Sequence, residues 1–123
     1  MRITAALVSA IAAIVLFSAC SEKKAVYMRC NENAKKLVGE PGTEYAIDCP
    51  QQCGNGTVYG TDVYTDDSAV CVAAVHAGLI DSAGGRIMLT IEAGRDSYEG
   101  SERNGIKTRD WKKPWNRSFT LDD

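Results

Sequence analysis

Residues 69–75 are apolar at every position and carry three alanines, three valines and one cysteine. A helix over this run would be apolar all round, so other parts of the chain must cover it on every side. The polar residues 66–68 predict where it starts, because their side chains can accept hydrogen bonds from the first free amides. Gly78 predicts where it ends. The sequence therefore predicts a buried helix through about Ala77 at the centre of a small domain.

Residues 1–19 have the layout of a lipoprotein signal peptide, with a positive start at Arg2 and an apolar run over residues 3–17. The run is shorter than the ~20 apolar residues that a membrane-spanning helix needs. Its end, Phe-Ser-Ala-Cys20, resembles a bacterial lipobox, in which the cysteine is lipidated and becomes the new N-terminus. Phe17 departs from that pattern, which most often has leucine. The alternative is ordinary cleavage that leaves Cys20 unmodified.

This interpretation sets the expected organisation and location of the chain. Residues 20–29 form a lipidated N-terminus and a short tether, and residues 30–121 form one domain. We expect an exported protein held by lipid at the cell envelope, with Ser21 compatible with sorting to the outer rather than the inner membrane. Removal of the signal peptide takes away Arg2 and leaves 13 Lys+Arg against 16 Asp+Glu, a net charge of −3. That balance argues against general nucleic-acid binding.

The cysteine count fits the same compartment. Of five cysteines, a lipidated Cys20 leaves four in about a hundred exported residues, which suggests two disulfides. Three pairings are open to Cys30, Cys49, Cys53 and Cys71. Pairing Cys30 with Cys49 and Cys53 with Cys71 would close two loops of similar length, each contributing roughly 3 kcal/mol.

Metal sites are the alternative reading of two residue groups. Cys49, Cys53 and His76 could supply zinc ligands, but the export signal, the single histidine and the lack of a second close cysteine pair argue against it. Asp62, with the two acids at 66 and 67, could bind calcium. The set falls short of a full calcium ligand set, and capping of the helix by Asp66 and Asp67 is the expected role.

His76 is expected to be structural. It lies five residues after Cys71 on the predicted helix, which turns the two side chains about 140° apart and makes them a poor nucleophile–base pair. We expect its ring to hydrogen-bond loop backbone.

The remaining elements follow from β-branched and turn residues. Residues 33–38 predict a helical turn, and Asn104–Gly105 predicts a tight turn. The last strand is expected to close the sheet. The predicted strands cover residues 26–28, 43–49, 58–60, 63–64, 86–92 and 118–121.

A basic segment near the C-terminus is the best candidate for ligand binding. Residues 103–117 hold six Lys or Arg residues, one acid and both tryptophans of the chain. Cations pair with phosphate or carboxylate, and exposed tryptophan can stack on sugar faces or cations. The alternative is that both tryptophans close the core and the charges are merely solvated. The candidate ligand-binding residues are Arg109, Trp111, Lys112, Lys113, Trp115 and Arg117.

Ordered motifs along the chain resemble those of the LCCL domain family, the module of cochlin and of clotting-factor-type proteins. The similarity covers roughly residues 30–121. The residues that carry it are Cys49-Pro-x-x-Cys53, Val58-Tyr-Gly-Thr61, Tyr64, Asp67-Ser68, Cys71, Ala73-Ala74-Val75-His76-Ala77-Gly78, Gly84-Gly85, Tyr98-x-Gly-Ser101, Asn104-Gly-Ile106 and Ser118-Phe119.

The resemblance implies an α+β fold in which a central apolar helix is wrapped by β-sheets. It also implies that two disulfides, Cys30–Cys49 and Cys53–Cys71, crosslink the domain. It also implies a module with no catalytic activity and no cofactor, linked to binding of lipopolysaccharide or other glycans. We therefore expect a non-enzymatic, envelope-anchored binding module for an anionic glycan or lipopolysaccharide. The alternative is a structural lipoprotein that binds an envelope protein.

Overall fold

The computed structural model describes residues 25–123 as a six-stranded sheet, a two-stranded hairpin, one α-helix and a 3-10 turn. The expected signal peptide and the expected lipid site at Cys20 lie outside the described residues. Within the described part, no helix is both long and apolar enough to cross a membrane. The elements are β1 (Val26–Tyr27), the 3-10 turn (Ala34–Lys36), β2 (Glu44–Cys49), β3 (Gly60–Thr61), β4 (Val63–Thr65), α1 (Val70–His76), β5 (Gly85–Ala93), β6 (Glu102–Arg103), β7 (Ile106–Lys107) and β8 (Arg117–Asp122).

The large sheet has the strand order β1-β2-β5-β8-β4-β3, and β6 pairs only with β7. β1 runs parallel to β2, and the other neighbours are antiparallel. β5 alternates regularly, with Ile87, Leu89 and Ile91 buried in the core. Each such side chain contributes about 1.5–3 kcal/mol when it is removed from water. Each predicted strand overlaps an observed one, although the prediction for residues 58–60 does so only at Gly60, and β6 and β7 were not predicted as strands.

The last strand lies inside the sheet, between β5 and β4. Its register places Phe119 opposite Ile91 and Tyr64, and Phe119 is fully buried. β8 therefore joins two parts of the sheet that are otherwise not hydrogen-bonded to each other.

Helix α1 is buried, as its composition predicts, except at Val75, which is partly exposed. Its residues from Val70 to Ala74 are all 0% exposed. The loop before β3 packs directly on it, since a Cβ added to Gly56 would lie 2.9 Å from Val72 Cγ2. On another side the β6–β7 turn approaches, where Asn104 Nδ2 donates to the carbonyl of His76 at 2.9 Å. The covering therefore combines the large sheet with loops and a hairpin, and is not made by sheets alone.

The predicted end of the helix is confirmed, but its predicted start chemistry is wrong. Gly78 follows the helix with a φ of 77°. At the other end Ala69 is the N-cap residue, and no side chain caps the helix. The amide of Ala69 donates to the carbonyl of Thr57, and that of Val70 to the carbonyl of Glu32, each at 3.0 Å. Carbonyls from neighbouring loops thus take the amides that the acids were expected to bind.

Both expected disulfide pairs are wrong, although all four cysteines are paired. The bridges are Cys30–Cys53 and Cys49–Cys71. They span 23 and 22 residues, against 19 and 18 in the expected pairing. Loop-closure entropies of the two schemes differ by only roughly 0.2 kcal/mol per loop, so loop length could not choose between them.

Geometry decides the pairing. Cys49 ends β2 in the core, and its Cα lies 5.6 Å from that of Cys71 on the buried helix. After Cys49 the chain turns through Gln52, whose φ is 61°. This turn brings the Cα of Cys53 to 4.9 Å from the Cα of Cys30.

Paired double substitutions test this connectivity. Cys30→Ala with Cys53→Ala should leave Cys49 and Cys71 oxidised and protected from alkylation in the denatured, unreduced protein. Cys30→Ala with Cys49→Ala should leave two alkylatable thiols, because each remaining cysteine has lost its partner. The first variant should lose roughly 3 kcal/mol of stability, as expected for one bridge of this span. The reverse labelling pattern, read by mass spectrometry, would restore the pairing expected from the sequence.

Candidate functional site

Backbone hydrogen bonds fix the basic segment on both sides of its lysines. Trp111 exchanges two of them with Tyr98, at 2.9 and 2.7 Å, and the Trp115 amide donates to the carbonyl of Arg95 at 3.0 Å. Residues 112–114 therefore form a short loop between two anchored tryptophans.

Three of the four candidate cations point into solvent. Arg109, Lys112 and Lys113 are exposed. Their side chains make no ion pair or hydrogen bond with residues 25–123. We call these three residues together with Trp111 and Trp115 the basic surface. Their charges are available to an anion without first breaking a contact within the described domain.

The tryptophans are half-buried and belong to an aromatic cluster. Trp111 meets Tyr59 edge to face, with ring centroids 5.6 Å apart, and meets Trp115 edge to face at 5.7 Å. Its indole Nε1 is buried without a hydrogen-bond partner in the described part of the chain. The two indoles are thus partly buried and partly exposed, and ligand binding by them stays a prediction.

Trp115 is held by a partner far away in sequence. Its Nε1 donates to Asp66 Oδ1 at 2.7 Å. Lys35, on the 3-10 turn, places its ammonium 5.4 Å from the centre of the Trp115 ring, within the range of a cation–π contact. Lys35 was not predicted from the sequence, because eighty residues separate it from Trp115 and no motif links them.

Arg117 differs from the other candidate cations. Its side chain is 22% exposed and lies 3.8 Å from the Asp66 carboxylate. Its guanidinium donates to the carbonyl of Ala34, at 3.2 Å, and to that of Leu37. These contacts join the start of β8 to the 3-10 turn, and they occupy the donors that a ligand would need.

His76 is the centre of a buried side-chain network. Nδ1 lies 2.9 Å from the Tyr64 hydroxyl and Nε2 lies 3.1 Å from Ser101 Oγ, which is also 2.6 Å from Thr61 Oγ1. A structural role is thus supported, but the ring partners are side chains and not the loop backbone that we expected. Burial lowers the pKa of His76 and raises that of Tyr64 to about 12. Both groups are therefore neutral at neutral pH.

The metal alternatives find no support among residues 25–123, where no cluster of histidine, cysteine and acidic side chains could hold an ion. Cys49 and Cys53 are in disulfides. Asp62 pairs with Arg103 at 2.8 Å. Asp67 accepts a hydrogen bond from Thr65.

The titration of His76 gives a pH test. An unfolded histidine titrates near 6.5, and the buried ring titrates lower, so the unfolded chain binds the proton first on acidification. The ionisation of His76 therefore costs no stability above pH ~6.5, and the free energy of unfolding falls as the pH drops below that value. The pKa values of Glu32 and Asp48 are also lowered, but these carboxylates affect stability only below about pH 4.5, outside this window.

The chain has a single histidine, so its ring NMR signals are unambiguous. We expect their titration midpoint below 6.5 and a thermal midpoint that decreases between pH 7 and 5. His76→Gln should flatten that decrease. A midpoint at or above 6.5 would contradict the burial argument.

Comparisons with known proteins agree with this architecture. The LCCL domain family model matches residues 21–119. Human vitrin is 39% identical over 96 residues, which cover 76% of this chain and 14% of vitrin. Clotting factor C of Tachypleus tridentatus is 36% identical over 95 residues, covering 76% of this chain and 9% of that protein. Human cochlin is 37% identical over 75 residues, covering 59% of this chain and 14% of cochlin.

The chain thus spans only a small part of these larger relatives, and the similarity concerns one module. The family match covers more than half of the chain and includes both disulfides, helix α1 and the basic surface. The chain belongs to the LCCL domain family.

Proposed function

We propose that this domain is a non-enzymatic binding module, held at the cell envelope by lipid on Cys20, that binds an anionic glycan or lipopolysaccharide through the basic surface. The observation that carries the proposal is the loop of Lys112 and Lys113 between two anchored tryptophans, with no ion pair to the described domain. Unpaired cations beside aromatic rings suit a ligand that has both phosphate or carboxylate groups and sugar rings.

The tryptophan geometry supports the same ligand class. The cluster of Tyr59, Trp111 and Trp115 fixes the indole planes, so little side-chain entropy is lost on binding. The unpartnered Nε1 of Trp111 is a donor that a ligand oxygen can satisfy after a small displacement of the ring. Arg117 has a positioning role in this proposal, because its guanidinium is bound to backbone carbonyls.

Cysteine use supports the anchor. The two disulfides use four of the five cysteines, and Cys20 is the one that remains. A thiol without a partner is unusual in an exported protein, and lipidation accounts for it.

Binding should depend on charge at the loop. Lys112→Ala with Lys113→Ala in the full chain should weaken binding of lipopolysaccharide, and of a sulfated oligosaccharide, by roughly tenfold, as expected for two exposed charge contacts. Affinity should also fall with added salt. The only two tryptophans of the chain lie at this surface, so their fluorescence reports binding alongside calorimetry.

The matched control is Arg29→Ala with Arg86→Ala, which removes two exposed positive charges outside the basic surface. It should leave both affinities nearly unchanged. Equal losses in the two variants would indicate a net-charge effect and contradict a defined site. Absence of any anionic glycan binding, together with a stoichiometric envelope protein in pull-downs, would favour the protein-interaction alternative.

The anchor is tested separately by mass spectrometry of the exported chain. We expect an N-terminal peptide that begins at Cys20 and carries acyl chains, and Cys20→Ala should release the protein from the membrane fraction. An unmodified N-terminus would contradict the anchor and leave the binding proposal standing.

A further inference from the structure

An open cleft of about 860 Å³ lies between the end of helix α1 and the loop that follows Cys53. Its residues are separate from those of the basic surface. The volume is within the ~300–1,000 Å³ that small-molecule sites typically have. The aliphatic residues that line it are Val75, Leu79, Ile80 and Ile106.

The polar lining of the cleft is dominated by carboxamides. Gln52 and Asn55 are exposed, and their side chains make no hydrogen bond with residues 25–123. Asn104 uses one N–H on the carbonyl of His76 and keeps its oxygen for another partner. Asp81 is the one charged lining residue, and no lysine or arginine of the described chain lines the cleft.

This composition selects against anions. A phosphate or carboxylate in the cleft would lose water, meet no cation and lie near the Asp81 carboxylate, which is unfavourable. A sugar hydroxyl both donates and accepts, and a carboxamide offers both a donor and an acceptor in return. The aliphatic side chains suit the C–H faces of a sugar ring.

The rim of the cleft is fixed before any ligand binds. The disulfide from Cys53 to Cys30 ties one side to the N-terminal loop. The backbone amide of Gln52 donates to the carbonyl of Ser82 at 2.9 Å, joining two lining segments. Gln52 has a φ of 61°, an uncommon conformation for a residue other than glycine, asparagine or aspartate. Such residues concentrate at binding sites when the surroundings enforce them.

We infer that this cleft is a second binding site and that it takes an uncharged oligosaccharide. The carboxamides of Gln52, Asn55 and Asn104 bind its hydroxyls, and the aliphatic residues contact a ring face. The site is independent of the basic surface, so the two can be lost separately.

Gly54 allows the cleft to be blocked without straining the fold. A Cβ built there meets no atom within 4 Å, and the residue has no positive φ. Gly54→Phe in the full chain should reduce affinity for neutral di- to tetrasaccharides of hexoses and N-acetylhexosamines at least tenfold, with an unchanged thermal midpoint. The saccharides are first screened on an array and then measured by calorimetry.

Two further variants complete the test. Gln52→Gly should weaken neutral saccharide binding about fivefold, the value of one lost neutral hydrogen bond. Its thermal midpoint should not fall, since glycine accepts this φ readily. Lys112→Ala with Lys113→Ala should keep neutral binding within twofold, while Gly54→Phe keeps binding of the sulfated oligosaccharide.

Three outcomes would overturn the inference. One is that no neutral saccharide binds the wild-type chain. Another is that the lysine variant loses neutral binding while Gly54→Phe retains it. The third is that extended peptides bind instead and Gly54→Phe blocks them, which would assign the cleft to a peptide. None of these bears on binding of the sulfated probe, so the proposed function is judged separately.

Discussion

Helix α1 exists because the rest of the domain surrounds it. Seven residues are well below the ~12–15 that an isolated helix needs in water. The helix has no side-chain cap, and the amides of Ala69 and Val70 are satisfied by carbonyls of Thr57 and Glu32. The Cys49–Cys71 bridge then joins it covalently to β2. Local propensity contributes little here, and tertiary contacts contribute nearly everything.

The basic surface and the cleft both depend on contacts with helix α1 or with the residues next to it. His76 ends the helix and binds Tyr64 of β4 and Ser101 before β6. Its carbonyl also holds Asn104, which lines the cleft. On the other side, Asp66 lies just before the helix and holds the indole of Trp115. The helix thus sets the position of one residue at each surface.

The order of the strands adds a constraint on the basic surface. Its loop leads directly into β8, which completes the sheet between β5 and β4. Arg117, the first residue of β8, is fixed by the carbonyls of Ala34 and Leu37. The basic surface is therefore anchored at the point where the first and last parts of the described chain meet.

The sequence predicted the features that follow from local chemistry and could not predict those that depend on distant partners. Periodicity and composition identified β5, the buried helix and its end at Gly78. Ordered motifs identified the family. The expected cap was wrong because backbone carbonyls of distant loops accept the amides that Asp66 was expected to bind. The local sequence around the helix start does not indicate such partners. The cysteine pairing was wrong because Cys49 and Cys53, four positions apart, give loops of nearly equal closure entropy.

Different contacts hold the two candidate surfaces in place within the domain. The cleft rim is held by the Cys30–Cys53 bridge and by the hydrogen bond between Gln52 and Ser82. The basic surface uses neither contact, because backbone hydrogen bonds to Tyr98 and Arg95 and the Asp66 carboxylate hold its tryptophans. The two proposed surfaces, one for anions and one for uncharged sugars, therefore depend on separate contacts within one small domain.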